Sequence, residues 1–201
     1  MIVKKGVTMK KWKMVWVIAA LALLPALSAT AQAAMYMEGY VGGNGASNLG
    51  STATVIGGWR LGVWFVPEGV LGLKYPNWLK HFGFYTDISV HGISSDRREL
   101  QGDGYIATFA FMPAVRWGFV KDEEVPFGRF QPYLAVGPAI FHADFNNFSG
   151  AKVSAALVMD AGIRGMLSRK FSVDVFFRYR YAQQNVTYNL FSGCVGFSYH
   201  F

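Results

Sequence analysis

The chain has 201 residues, 52% of them hydrophobic and 16% aromatic, with 15% charged and a formal net charge of +7. Much of that charge sits in the first segment, where Lys4, Lys5, Lys10, Lys11 and Lys13 stand without a single acidic residue before position 34. The remainder is close to charge balance, which excludes a strongly basic surface, and no nucleic-acid partner is expected.

The five lysines lead into an apolar run from Met14 to Leu27, followed by the small-residue site Ala31-Gln32-Ala33. This order marks residues 1–33 as a cleaved signal peptide and 34–201 as the mature domain, with Met9-Lys10-Lys11 an equally good start. The run is shorter than the roughly 18–20 apolar residues that a membrane-spanning helix needs, so it reads as an export signal and not an anchor. Cys194 is the only cysteine, so no intrachain disulfide is available; it stands far from the signal segment and reads as a small strand residue.

Beyond residue 33 no stretch resembles a membrane helix. The richest run, Tyr133 to Phe141, contains Gly137 and Pro138 and is too short to span. A membrane chain without apolar helices must satisfy its backbone by closing a sheet on itself. Eight strands are predicted, near 36–43, 53–66, 79–91, 105–119, 131–142, 152–167, 171–183 and 189–201. The links near 44–52, 92–104, 143–151 and 184–188 then fall on one side, read as external, and those near 67–78, 120–130 and 168–170 on the other. Ser94-Ser95-Asp96-Arg97-Arg98-Glu99 suits an external loop. The link with Pro67, Pro76, Asn77 and Trp78 is long for a periplasmic turn, which leaves ten strands open as an alternative. Pro113 and Pro138 fall inside strands and lack a ladder donor, so a bulge or a strand end is expected at each.

The last two strands carry the clearest pattern. Phe191, Val195, Phe197, Tyr199 and Phe201 share one parity, and Ser192, Cys194, Gly196, Ser198 and His200 the other. Phe171, Val173, Val175, Phe177, Tyr179 and Tyr181 likewise alternate with Ser172, Asp174, Arg178 and Arg180, with Phe176 as the exception. Period-two alternation of this kind places two different environments on the two faces of a strand. With the apolar parity facing lipid, Glu38, Arg60, Asp87, His91, Arg116, Asp160, Arg164, Asp174, Arg178 and Arg180 point inward. Eight strands enclose a lumen only wide enough for side chains, so these groups should pair across it, and loss of Arg178 or Asp174 should destabilise the barrel.

Several segments together resemble the small outer-membrane β-barrel family that includes OmpA-type, OmpX-type and opacity-type surface proteins. They are Gly57-Gly58-Trp59-Arg60-Leu61-Gly62, Pro132-Tyr133-Leu134-Ala135-Val136-Gly137, Phe177-Arg178-Tyr179-Arg180-Tyr181 and the end Val195-Gly196-Phe197-Ser198-Tyr199-His200-Phe201. The resemblance spans the mature chain and implies an all-β, closed, antiparallel up-and-down transmembrane barrel in the bacterial outer membrane. It implies a monomer in contact with outer-membrane lipid and lipopolysaccharide, and a terminal strand whose Phe197, Tyr199 and Phe201 are read by the barrel-assembly machinery. No peptidoglycan-binding domain is recognised.

The function expected from these features is structural or surface-interacting, with a narrow or closed lumen, no catalytic site and no cofactor. Two alternatives are a lipid A-modifying enzyme (acyltransferase or deacylase) and a narrow non-specific pore. The enzyme would need a hydroxyl or activated water, a histidine base and a carboxylate, for which His91 with Ser89, Ser94, Ser95 and Asp96 are the candidates. His81, His142 and His200 show no paired ligand spacing, so no metal site is expected.

Overall fold

A computed structural model describes residues 35–47, 53–65, 75–95, 102–145, 152–184 and 187–201. The signal segment lies outside these residues, as does Asp96. The chain forms eight strands, β1 (Met35–Ala46), β2 (Thr54–Trp64), β3 (Phe82–Ser95), β4 (Gly102–Arg116), β5 (Phe130–Phe145), β6 (Lys152–Met166), β7 (Phe171–Gln183) and β8 (Thr187–His200). Each pairs antiparallel with its chain neighbour, and β8 returns to β1 from Tyr36↔His200 to Ala46↔Leu190, closing an up-and-down barrel. No ten-stranded arrangement arises, because the long link between β2 and β3 contains a 3-10 turn, Asn77–His81, in place of further strands among its described residues. Residues 79–81, expected to open β3, belong to this turn.

The alternation seen in the sequence becomes an inside and an outside. Val55, Trp59, Leu134, Val175 and Val195 each expose more than half their surface, whereas most residues of the inward parity are buried. In water such an apolar exterior around a charged interior would be inverted; in hydrocarbon it is the stable arrangement. Exposed aromatics gather at the end of the barrel where β1 begins and β8 stops, here the terminal end. Trp78, Phe82, Trp117, Phe119, Phe130 and Phe171 lie there, as expected of a ring at a membrane–water boundary. No helix among the described residues is long and apolar enough to cross a membrane.

The two strand prolines are accommodated in a way the sequence did not disclose. Neither a bulge nor a strand end occurs. The β4–β5 ladder runs from Gly104↔Phe145 to Ala110↔Ala139, lapses, and resumes in the same register at Ala114↔Ala135. The β3–β4 ladder passes unbroken through Pro113, and the β5–β6 ladder unbroken through Pro138. A strand residue directs its N–H and C=O to the same neighbour, so both prolines turn their missing donors onto one shared seam. Gly137 lies in that seam, where a Cβ would fall 1.9 Å from the Phe111 carbonyl oxygen.

Two of the three links at the terminal end, 65–81 and 117–129, are longer than any at the far end, which are 47–53, 96–101, 146–151 and 184–186; the third, 167–170, is a tight turn. Link 117–129 is well ordered by its own bonds. The Val125 amide donates to the Asp122 carboxylate (2.6 Å), the Gly128 amide to the Val125 carbonyl, and Arg129 pairs with Asp122 and Glu124. Arg169, in the turn between β6 and β7, donates to the carbonyls of Glu123 and Glu124 and fastens the two links together.

The Val125 amide, followed by Arg129, holds the Asp122 carboxyl below its ordinary range. A carboxyl depressed by folding adds stability above its unfolded pKa and loses it only as pH falls through the lower folded value. Amide-exchange protection at Val125 should therefore persist through pH 5 and fade below about pH 4. Loss of protection already at pH 6 would show that Asp122 does not anchor the link.

Candidate functional site

Among the described residues the largest gathering of charged side chains is in the interior, and the sheet register explains how. Glu38 faces Arg60 across β1–β2, Arg60 faces Asp87 across β2–β3, and Asp160 and Arg164 face Arg178 and Asp174 across β6–β7. Four neighbouring cross-strand pairs of opposite charge thus point into one narrow tube. Glu38, Arg60, Asp87, Asp160, Arg164, Asp174, Arg178 and Arg180 are each at most 2% exposed.

Arg60 lies at the centre. Its guanidinium donates to Glu38 (3.0 Å), Asp87 (3.2 Å), Asp160 (2.8 Å) and the Tyr133 hydroxyl (3.1 Å). Arg178 bridges Asp87 (2.7 and 2.8 Å) and Asp160 (both 2.8 Å). Arg164 holds Glu38 (2.8 Å) and Asp174 (2.9 Å), and Ser198 donates to the same Glu38 oxygen as Arg164 (2.9 Å). Planar guanidinium forks suit such multiple carboxylate contacts, which a lysine ammonium could not reproduce in the same geometry.

Sequence reasoning overlooked the tyrosines of this network. Tyr40 donates to Asp87, Tyr85 to Asp160 (2.5 Å) and Tyr133 to Asp174 (3.1 Å). Their parity was the available signal, since Tyr36 and Tyr40 flank Glu38 at two-residue spacing, as Tyr85 flanks Asp87. Glycines on the facing strand leave them room: a Cβ at Gly58 would meet the Tyr40 ring at 2.5 Å, and one at Gly62 the Tyr36 ring at 2.4 Å. Phe176, the exception to the β7 alternation, faces inward, with the Arg60 guanidinium 3.6 Å from its ring centroid. An aromatic face there stabilises a buried cation that already has a full complement of carboxylates.

Above and below this layer the lumen is closed by different means. Towards the far end Ile93, Ile106, Phe141, Tyr188 and Leu190 form an apolar plug. Towards the terminal end Arg116 lies between the rings of Trp64 (4.2 Å) and Phe127 (4.1 Å) and donates to Gln131 (3.0 Å). Phe127 belongs to link 117–129, so that link covers the mouth. His200 shares a hydrogen bond with Ser172 (2.8 Å) at the same end.

The arrangement places the enzyme candidates poorly for work on lipid. Ser89 and His91 are 0% and 2% exposed, on the inner face of β3, and neither has a hydrogen-bond partner among the described residues. A base and hydroxyl acting at the outer lipid surface would have to face outward. The side chains of Ser94 and Ser95 lie outside the described set. His142 stacks on Tyr105 and the Nδ1 of His81 lies 2.9 Å from the Arg116 carbonyl, far from any shared cluster. No group of three His, Cys, Asp or Glu among the described residues could hold a metal. Phe197 and Phe201 are exposed on the outer face and Tyr199 is half-buried beside Phe171.

No protein-family profile and no curated protein matches the chain. Solved structures do. Neisserial surface protein A superposes with a TM-score of 0.60 at 14% identity, over 83% of this chain and 97% of that one. The fold is that of the small eight-stranded outer-membrane barrels. The outer membrane protein OprG of Pseudomonas aeruginosa gives a TM-score of 0.51 at 15% identity, over 84% of this chain and 96% of that one. The N-terminal β-barrel domain of OprF from the same organism gives 0.50 at 13% identity, over 85% and 100%. At these identities the likeness concerns architecture alone.

Proposed function

We propose that the chain is a monomeric integral protein of a bacterial outer membrane that serves as a structural and surface-interacting element, with a lumen closed to solutes and no catalytic centre. The observation that carries this reading is the Arg60 guanidinium, held near the middle of the tube by three carboxylates and a tyrosine, all with side chains shut from solvent. An eight-stranded barrel leaves no space beside such a network for an aqueous path.

The terminal end then faces the periplasm and the far end the exterior. Outer-membrane phospholipid and lipopolysaccharide cover the apolar belt, and the barrel-assembly machinery reads Phe197, Tyr199 and Phe201 during insertion. The far-end links are short, which favours a structural role over recognition by long external loops.

Planar-bilayer recording of the purified barrel tests the closed lumen. The expected record has no resolved unitary steps in 1 M salt. Reproducible single-channel openings that change in size when Arg60 is replaced would overturn the proposal in favour of a narrow pore.

A further inference from the structure

We infer that the outer wall over the β4–β5 seam is a binding groove for one acyl chain of a bilayer phospholipid. This rests on the transmembrane placement of the barrel and goes beyond its closed lumen. The groove has a volume of about 920 Å³ and an almost wholly apolar lining. Its floor follows one outward row across five strands, Phe84, Pro113, Val136, Met159 and Tyr179, with Phe111 beside it. It climbs from the terminal end at β3 to the middle of β7, and Trp78 and Phe65 wall its lower mouth.

The recess has a local cause. The β4–β5 ladder lapses over three successive pairs where the two prolines lack donors, and Gly137 contributes no side chain. Behind the seam the inward residues are mostly small, namely Ala110, Ala114, Ala135 and Ala139. A wall thinned in this way leaves a concavity in the lipid-facing belt.

A recess at that depth borders hydrocarbon on its open side. Left unfilled, its lining would lose the dispersion contacts that the surrounding belt enjoys with lipid. The groove is continuous with the lipid-facing surface, and its size falls within the roughly 300–1,000 Å³ typical of small-molecule sites. A flexible, unbranched hydrocarbon chain matches a long apolar slot, and acyl chains are the species present there at the highest concentration.

The purified barrel, reconstituted in vesicles of phosphatidylethanolamine and phosphatidylglycerol, can be photolabelled with a phosphatidylethanolamine that carries a diazirine midway along one acyl chain. Peptide mapping should find Phe111–Val115 and Leu134–Val136 labelled several-fold more than Val41 and Val195 on the opposite wall. Val136→Trp, which fills the slot from the outer face, should bring the seam down to the level of the opposite wall. Leu134→Trp serves the same purpose as a second filling variant, with folding of each verified by heat-dependent gel migration. Even labelling around the belt, or seam labelling unchanged in both folded variants, would overturn the site. Absence of label on every strand would instead remove the bilayer placement itself, and the site with it.

Discussion

Arg178→Ala should lower the unfolding free energy of the barrel by about 3–5 kcal/mol, read as a shift of the urea midpoint in detergent or lipid vesicles. Arg178 makes ionic contacts with Asp87 and Asp160 and donates to the Tyr40 hydroxyl, all within 2.8 Å and out of reach of solvent. Truncation leaves two carboxylates that share only Arg60, and the net charge of the layer becomes more negative in a medium that screens little. Arg178→Lys restores the charge without the fork and should fall between the two. Arg129→Ala offers the contrast: its ion pairs with Asp122 and Glu124 lie at the surface, and its loss should move the midpoint far less than the loss of Arg178. Coincident midpoints for Arg178→Ala and the parent would show that the buried ions contribute nothing to holding the sheet closed.

Gly137→Val should cost at least as much as the upper end of the roughly 1–3 kcal/mol typical of overpacking, and should abolish the heat-dependent shift in gel migration. Any Cβ at position 137 would lie 1.9 Å from the Phe111 carbonyl oxygen and 3.1 Å from the Met112 Cα. Both obstacles are backbone, so no side-chain rotation relieves the clash, and β4 and β5 would have to separate where three ladder pairs are already missing. Gly43→Ala is the control, since a Cβ there meets nothing within 4 Å. It should leave migration unchanged. Normal migration of Gly137→Val would mean that the seam opens without cost.

Much of this architecture was legible from parity. In β7 and β8 the alternation of large apolar with small or charged residues gave both the strands and their inner faces, because lipid on one side and a polar lumen on the other select residues two apart. The inward positions of Arg60, Asp87, Asp160 and Arg178 follow from the same rule. Which charge meets which was not legible, since that depends on register, set by the whole closed sheet. Phe176 broke the pattern for a reason that lies on β2, in the guanidinium it faces. The prolines were misread because each was considered against its own strand, whereas their accommodation depends on both turning their missing donors to the same β4–β5 seam. The 117–129 cap escaped notice because its order comes from local bonds around Asp122 and from Arg169, which is distant in sequence.

The polar core also bears on how the barrel is made. Arg178 meets Tyr40 across 138 residues and Arg164 meets Glu38 across 126. Neither of these two contacts can form in a flat or half-curled sheet, where an ion meets only partners on the strand beside it. Full dehydration and the pairing across the lumen must therefore coincide with the docking of β8 on β1, so an open, partly zipped sheet holds only part of the network before the ring shuts. Insertion is expected to be all-or-none and slow, governed by that last seam, as the long sequence separation of its contacts requires.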